Sequence, residues 1–302
     1  MEKYKVSYME NSTGETIAYR ETGKGDRTFI LIHGNMSSSV YFEDMMEELG
    51  KENKVYAIDL AGFGDSSYVN EQNTLFDLSK DLSEFIIKKD LYNVYLLGWS
   101  TGGGVCLESA CDLPDRISKI FLLSSVGIKG YPVYKKTIFT PLSTELIRTK
   151  EEMLEYNVIA RPMISMFKRK NKYMMRGVLE HSLYTRKIPK EEDLKKYIEG
   201  SLKQRNYLDV LTALVNFNMT NTVISGVEGS GRAELIKAPI IIMHGDYDVV
   251  CDLSFAKATA DYFGTRAELK IFRGCGHSIM TDDFQKLINY IKARYWAFYF
   301  ES

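Results

Sequence analysis

Short, unbroken runs of apolar residues alternate with amphipathic helical segments along most of the chain, and this alternation limits its fold more than any other feature. The apolar runs cover residues 28–32, 54–58, 93–97, 117–123, 238–243 and 268–272. Runs of this length are typical of strands that are buried on both faces. With helical patterns at 41–50, 74–89 and 102–111 between them, they predict an α/β fold in which helices flank a mostly parallel sheet. Two alternating segments at 4–9 and 16–21 predict an antiparallel hairpin at the N-terminus.

The alternation stops after the fourth apolar run and resumes with the fifth. In between, only helical patterns occur, for example at 150–156 and 190–203. We therefore expect a core formed by residues 1–128 and 237–302, interrupted by a helical insertion at 129–236. Charge supports this division, because the insertion holds 19 Lys/Arg against 12 Asp/Glu and the remainder holds 20 against 28.

The densest basic run lies in the insertion at residues 168–172, with the sequence KRKNK. A solvated helix end is one explanation, and the steering of anionic substrates to a cleft under the insertion is the other. The whole chain has a net charge of −1, which gives no electrostatic indication of nucleic-acid binding.

Neither end of the sequence indicates a membrane span. The first 15 residues lack an apolar signal core, and no stretch approaches the roughly 18 apolar residues of a span, so we expect a cytoplasmic protein. Four cysteines without CxxC spacing favour reduced thiols.

Aromatic residues crowd the C-terminal segment, and we expect them to dock on the body of the protein, with a homodimer or membrane contact as the alternative. They are Tyr295, Trp296, Phe298, Tyr299 and Phe300.

The motif Gly98-Trp99-Ser100-Thr101-Gly102 lies between an apolar run and a helical segment. A serine on such a sharp strand-to-helix turn exposes its hydroxyl, and the flanking glycines let the neighbouring chain pass closely. The N-terminus of the following helix places a positive dipole end near negative charge that develops there. The pattern predicts that Ser100 is a nucleophile.

Asn35 belongs to the loop that follows the first long apolar run, His33-Gly34-Asn35-Met36. An acyl-transfer enzyme must stabilise an oxyanion with at least two donors. We expect these donors to be the backbone N–H groups of Asn35 and Thr101. We expect His33 to be packed and hydrogen-bonded beneath the loop.

His277 is the best candidate for the base that a serine nucleophile needs. It lies in a glycine-rich loop after the last apolar run, whereas His244 ends a buried strand and His181 lies in the insertion. The base in turn needs an acid that fixes its tautomer. Asp246 and Asp248 both follow the penultimate apolar run, and chemistry alone does not separate them.

In their order along the chain, these motifs resemble those of the α/β-hydrolase superfamily, in particular its serine-nucleophile, esterase- and lipase-like members. The resemblance covers nearly the whole chain and is carried by HGN at 33–35, DLAGFGDS at 59–66, GWSTG at 98–102, HGDYDVV at 244–250 and GCGH at 274–277. It implies an α/β-hydrolase fold, Asp248 as the catalytic acid with Asp246 as the fallback, and a helical cap after the sixth strand. Nothing in the motifs implies a metal or another cofactor.

The substrate stays open at this point. We expect a carboxylic-ester hydrolase that acts on a small-molecule acyl substrate through an acyl-enzyme on Ser100. Members of the superfamily that form an ester on aspartate are excluded by the serine at this position. An aminopeptidase resembling proline iminopeptidases is weakened by Asn35 and Leu97, where that group usually has glycine. A lactonase, a thioesterase, a C–C bond hydrolase and a slow-turnover receptor remain as alternatives.

Overall fold

The structure is a computed structural model that describes residues 3–136 and 143–295. The strands in this part of the chain are β1 (Ser7–Glu10), β2 (Thr16–Thr22), β3 (Thr28–Ile32), β4 (Lys54–Ile58), β5 (Val94–Trp99), β6 (Ile117–Leu123), β7 (Ile240–Gly245) and β8 (Ala267–Phe272). They form one sheet in the order β1-β2-β4-β3-β5-β6-β7-β8. The β1–β2 hairpin and the β2–β4 pair are antiparallel, and all other neighbours are parallel.

Helices connect the parallel strands. In the described residues they are α1 (Glu43–Leu49), α2 (Leu75–Lys88), α3 (Thr101–Asp112), α4 (Lys150–Tyr156), α5 (Ala160–Lys168), α6 (Lys172–Ser182), α7 (Glu191–Ser201), α8 (Tyr207–Val215), α9 (Leu253–Phe263), α10 (Ile279–Asp282) and α11 (Phe284–Lys292). Every residue of β3, β5 and β7 is buried, as expected for strands covered on both faces.

Two elements differ from the sequence-based prediction at their ends. The helix predicted at 41–50 starts with a 3₁₀ turn at Ser39–Phe42, and α1 begins only at Glu43. Strand β5 runs two residues past its predicted end, to Trp99, where it is still paired with Leu123 of β6. The strand therefore reaches the turn of Ser100 without an intervening loop.

The segment between β6 and β7 contains helices α4 to α8. Buried side chains from α5, α6 and α7, among them Phe167, Leu179 and Ile198, belong to the same apolar cluster as Trp99 of β5. These helices therefore pack against the end of the sheet that carries the Ser100 turn. The assignment of residues 129–236 as a cap domain stays a prediction.

At the C-terminal end, Tyr295 docks on the body as predicted. Its side chain is buried, and its hydroxyl accepts a hydrogen bond of 3.1 Å from Asn53 Nδ2. The other four aromatics of the predicted cluster lie outside the described residues. Among the helices at 3–136 and 143–295, none has the length and apolar character needed to cross a membrane. All four cysteines are buried free thiols.

Candidate active site

Ser100 lies in the turn between β5 and α3, in a strained backbone conformation. Its φ of 55° and ψ of −123° fall in a region that side chains other than glycine rarely occupy. A Cβ atom on Gly98 would lie 2.4 Å from the carbonyl oxygen of Gly102, and one on Gly102 would lie 2.3 Å from that of Ile32. The glycines predicted to let the chain pass closely are therefore required by sterics.

His277 and Asp248 come together at the same edge of the sheet. The Nδ1 atom of His277 lies 2.8 Å from Oδ2 and 3.0 Å from Oδ1 of Asp248. The Asp248 carboxylate also accepts hydrogen bonds from the backbone N–H groups of Val250 and Cys251, at 2.8 and 2.9 Å. Burial acts to raise the pKa of Asp248, but His277, the N–H of Cys251 and the charge of His244 outweigh it and lower that pKa.

Asp246, the other candidate acid, is exposed and lies apart from His277. Its carboxylate instead accepts a hydrogen bond of 2.6 Å from the backbone N–H of Gly274. It therefore stabilises the loop that leads to His277. The geometry favours Asp248 over Asp246 as the partner of the histidine.

The thiol of Cys251 lies close to the hydroxyl of Ser100 and to the carboxylate of Asp248. Burial, and to a lesser extent the charge of Asp248, holds the pKa of Cys251 well above its ordinary value, so the thiol stays neutral. Within the described residues, no hydrogen bond joins Ser100 to His277. Such bonds often form fully only when substrate binds.

The backbone around His277 is fixed by Trp99, the last residue of β5. The indole N–H of Trp99 donates a hydrogen bond of 3.1 Å to the carbonyl oxygen of His277, and the two rings lie 5.7 Å apart. The side chain of His277 is 1% exposed and that of Asp248 is fully buried. The pair is shielded from solvent, which strengthens its electrostatic interaction.

Thr101 and Asn35, the predicted oxyanion donors, flank Ser100 from two sides. Thr101 is the first residue of α3, so its N–H has no acceptor within the helix. The loop of Asn35 touches Ser100, because a Cβ on Gly34 would lie 2.7 Å from the Cβ of Ser100. Both residues therefore belong to segments that adjoin Ser100, and the role of their N–H groups as an oxyanion hole stays a proposal.

Sequence reasoning missed Gln204, which lies between α7 and α8. Its Nε2 donates to Oδ1 of Asn35 at 2.8 Å and to Oδ1 of Asn206 at 3.1 Å, and its Oε1 accepts from the N–H of Met36 at 3.0 Å. Gln204 is 1% exposed. It therefore fixes the loop of Asn35 from the helical segment. No motif or spacing signals this contact.

The remaining histidines are structural or exposed. His33 is fully buried, its Nδ1 lies 2.8 Å from the carbonyl oxygen of Gly34, and its Nε2 accepts from the N–H of Leu60 at 3.1 Å, so its predicted packing beneath the loop is confirmed. Nε2 of His244 lies 2.8 Å from the carbonyl oxygen of Cys251. Burial lowers the pKa of both His33 and His244, which favours neutral rings. The side chain of His181 is exposed in α6.

No group of three or more His, Cys, Asp or Glu side chains in the described residues is arranged to hold a metal ion. The chemistry that this arrangement can perform is that of a nucleophile, a base with its acid, and two backbone donors. These are the parts of acyl transfer by covalent catalysis.

Comparison with known proteins identifies the family. The family model described as "Serine aminopeptidase, S33" matches residues 23–283. The chain belongs to this family. Since the family is one of α/β hydrolases, the predicted superfamily and fold are confirmed.

Individual relatives of this S33 family member are distant in sequence but match more than nine-tenths of its length. It is 23% identical over 282 residues to pimeloyl-[acyl-carrier protein] methyl ester esterase of Hamiltonella defensa, covering 91% of this chain and 96% of that protein. It is 24% identical over 294 residues to 2-hydroxy-6-oxononadienedioate/2-hydroxy-6-oxononatrienedioate hydrolase of Escherichia coli, covering 92% and 91%. The esterase EaEST of Exiguobacterium antarcticum superposes with a TM-score of 0.73 at 21% identity, covering 95% and 98%.

Proposed function

We propose that this α/β hydrolase cleaves carboxylic esters of small acyl substrates through an acyl-enzyme on Ser100, with His277 as the base and Asp248 as the acid. The observation that carries the proposal is the 2.8 Å contact between His277 Nδ1 and Asp248 Oδ2, at the same sheet edge as the strained Ser100 turn. A buried carboxylate on Nδ1 leaves Nε2 as the basic atom of the ring.

Acylation begins when the Ser100 hydroxyl donates a hydrogen bond to Nε2 of His277. The Ser100 Oγ atom then bonds to the carbonyl carbon of the ester while its proton passes to His277 Nε2. The resulting oxyanion is stabilised by the N–H groups of Thr101 and Asn35. The bond to the alcohol oxygen breaks, and that oxygen takes the proton from His277.

Deacylation repeats these steps with water. His277 takes a proton from a water molecule, whose oxygen attacks the acyl carbon, and the same two N–H groups stabilise the second oxyanion. The bond to Ser100 Oγ then breaks, and Oγ regains its proton from His277. A carboxylic acid is released, and at neutral pH it is ionised.

The ester specificity is supported by the relative named as a methyl ester esterase, which matches nearly the whole chain. A C–C bond hydrolase is the second candidate, because the relative named as a 2-hydroxy-6-oxononadienedioate hydrolase is as similar. Both reactions use a serine nucleophile in this proposal. They differ in the group that leaves the acyl carbon.

We further infer that residues 129–236 act as a cap over Ser100. The support is the packing of α5, α6 and α7 against the cluster that contains Trp99, and the contact of Gln204 with the Asn35 loop. Ser100 is 8% exposed. Substrate therefore reaches the serine only after part of this segment moves.

Stopped-flow hydrolysis of p-nitrophenyl esters with acyl chains of increasing length tests the proposal. We expect the native protein to release a burst of p-nitrophenol near one equivalent, followed by steady turnover. The Ser100→Ala variant should lose both, with kcat reduced by at least about 10⁴-fold. Ser109→Ala is the matched control, because Ser109 is a buried serine of α3 that is hydrogen-bonded to Ser83 and lies on a different turn of the helix.

Equal rates for the native protein and Ser100→Ala would show that Ser100 is not the nucleophile. Ser100-dependent cleavage of a vinylogous 1,5-diketone without ester turnover would replace the ester hydrolase by the C–C bond hydrolase. Ser100-dependent cleavage of an aminoacyl p-nitroanilide would favour the aminopeptidase in the same way. One equivalent of product without further turnover would favour a receptor.

A further inference from the structure

A groove of about 480 Å³ lies between α5, α8 and the loop that joins α7 to α8, and the proposed mechanism does not use it. One side of the groove is apolar and is lined by Leu154, Ile164, Phe167 and Leu208. Its volume falls within the range that small-molecule ligands occupy. A ligand that fills it would bury an aliphatic or aromatic part against this side.

Another part of the lining is basic and consists of Lys168, Lys170 and Arg205. In the described parts of the chain, none of these three forms an ion pair with a carboxylate. Lys170 Nζ donates instead to the carbonyl oxygen of Leu202 at 2.5 Å, and Arg205 donates to backbone carbonyls, including that of Gly64. The charges of Lys168 and Lys170 are therefore not neutralised by a paired carboxylate in this part of the chain.

The cations at the groove also crowd one another. Burial, together with the charges of Arg205 and Lys203, lowers the pKa of Lys170. Lys203 itself is bound to the carboxylate of Asp65 at 2.5 Å. In contrast, Lys172 from the same basic run is paired with Glu199 at 2.5 Å and lies outside the groove. An anion in the groove would relieve the mutual repulsion of the unpaired cations.

Gln204 also lines the groove. The amide of this side chain is bound to Asn35 and Met36, in the loop that touches Ser100. A ligand in the groove therefore lies one side chain away from the proposed oxyanion donor.

We propose that this groove binds a linear aliphatic carboxylate, with the chain on the apolar side and the carboxylate at Lys168 and Lys170. A charged hydrogen bond from an ammonium to a carboxylate provides the polar contact, and the apolar side accommodates the chain. The source of the ligand rests on the proposed function. The carboxylate belongs either to the acid that hydrolysis releases or to a second, distal carboxyl group of the substrate itself.

Calorimetry on the Ser100→Ala protein measures this binding without turnover, with octanoate and the neutral 1-octanol as matched probes. We expect octanoate to bind at least about tenfold more tightly than octanol, and the double variant Lys168→Met/Lys170→Met to lose this preference. Lys172→Met is the control and should bind octanoate within about twofold of the parent. Lys168→Met alone breaks no hydrogen bond of the described residues, and it should lose part of the preference for octanoate over octanol. This single variant keeps the test valid if the double variant does not fold.

Equal binding of octanoate and octanol, or octanoate binding that is unchanged in Lys168→Met and in the folded double variant, would overturn the inference. This result leaves the proposed function intact if Ser100-dependent ester turnover is seen. Conversely, octanoate binding with the expected charge dependence in a protein that turns over no ester would overturn the proposed function and leave the groove assignment standing.

A second arm, on the catalytically intact protein, distinguishes the two sources of the carboxylate. The mono-p-nitrophenyl ester of octanedioic acid is compared with p-nitrophenyl octanoate. If the substrate supplies the carboxylate, we expect kcat/KM to be about tenfold higher for the charged ester, and this preference to vanish in the double variant. If octanoate binds with the expected charge dependence but the two esters are hydrolysed equally well, the ligand is the free acid.

Discussion

The two regions that meet around Ser100 hold their side chains in different ways. At the carboxyl edge of the sheet, Ser100, Asp248 and His277 each lie within five residues of a strand end. In the helical segment, Gln204 reaches the same edge from a loop between two helices. The first arrangement is fixed by backbone geometry over a few residues, whereas the second depends on how whole helices pack against the sheet. A local sequence pattern can therefore encode the first and not the second.

The largest expected effects come from the strand-end residues. His277→Ala should reduce kcat for a p-nitrophenyl ester by at least about 10⁴-fold, because Ser100 then has no base. Asp248→Asn should reduce it by about 10³- to 10⁴-fold, since an amide fixes the wrong tautomer of the ring. Steady-state kinetics with thermal unfolding as a check on folding measures both.

Asp246→Asn is the matched control, because Asp246 is the carboxylate two positions away that binds Gly274 and not His277. We expect it to retain activity within about tenfold. If Asp246→Asn were as inactive as Asp248→Asn, the assignment of the acid would be wrong.

Gln204 provides the next largest effect and tests the role of the helical region in catalysis. Gln204→Met keeps the size of the side chain but removes its hydrogen bonds to Asn35 and Met36. We expect kcat to fall by about 10- to 100-fold with little change in KM, because the Asn35 N–H is displaced from the oxyanion. Affinity for a boronic acid, which mimics the tetrahedral intermediate, should fall in proportion to kcat/KM.

A purely structural role for Gln204 would change the unfolding midpoint without changing that affinity. Gln285→Met, at an exposed glutamine of α11 that is bound to Asn289, is the control and should leave both unchanged. If Gln204→Met altered KM alone, the helical segment would contribute to binding and not to the oxyanion donors.

The strand-end residues could be predicted from the sequence for a physical reason. A parallel sheet gathers the loops at its carboxyl edge, so each reactive residue needs only to follow its own strand. The sharp turn at Ser100 can be predicted from the glycines on either side of it. A Cβ atom at Gly98 or Gly102 would clash with the neighbouring backbone, so only glycine is tolerated there. Asp246 and Asp248, two positions apart, could not be separated in this way. The family resemblance favoured Asp248, and the direction of its side chain, which brings its carboxylate to His277, gives the physical reason.

The contacts of the helical segment could not be predicted. Gln204 and Asn206 form a buried pair that holds the loops of Asn35 and Ala61, yet neither has a conspicuous neighbour in the sequence. Cys251 was classed among the reduced thiols, and its position beside the Ser100 hydroxyl depends on the path of the chain after Asp248. These contacts join residues far apart in sequence, so periodicity and spacing carry no information on them.

A smaller effect, on the free energy of unfolding, is expected at two buried carboxylates, one from each region. Burial raises the pKa of Asp81, in α2, to about 7, and its Oδ2 has no hydrogen-bond partner among the described residues. The folded protein therefore binds a proton here between about pH 4 and 7 that the unfolded chain does not, so stability falls as pH rises through this window. Asp81→Asn removes the proton linkage. We expect it to raise the free energy of unfolding by about 1–2 kcal/mol at pH 8, with no gain at pH 5.

Asp209 of α8 is buried as well, but its carboxylate is bound to Lys150 at 2.9 Å, to the Tyr68 hydroxyl at 2.5 Å and to the N–H of Gln72 at 3.0 Å. Asp209→Asn should therefore destabilise the protein, because it leaves Lys150 without a buried partner. Urea unfolding at pH 5 and pH 8 measures both variants. Destabilisation by Asp81→Asn at pH 8 would contradict the raised pKa.

The smallest expected effect, also on stability, comes from the helix-capping box, a motif that occurs in both regions. Thr74 before α2 and Thr149 before α4 each form a complete capping box, with Asp77 and Glu152 respectively. Replacing either threonine by alanine should cost about 1 kcal/mol of helix stability. In α2, which packs on α3 in the main core, we expect the whole loss to appear in the global unfolding free energy. In α4, whose buried residue Met153 belongs to a small separate cluster, we expect faster hydrogen exchange confined to α4 and a smaller change in global stability.

Equal global losses for Thr74→Ala and Thr149→Ala would mean that the helical segment unfolds together with the sheet. In that case the proposed movement of this segment over Ser100 would have to displace the helices without unfolding them.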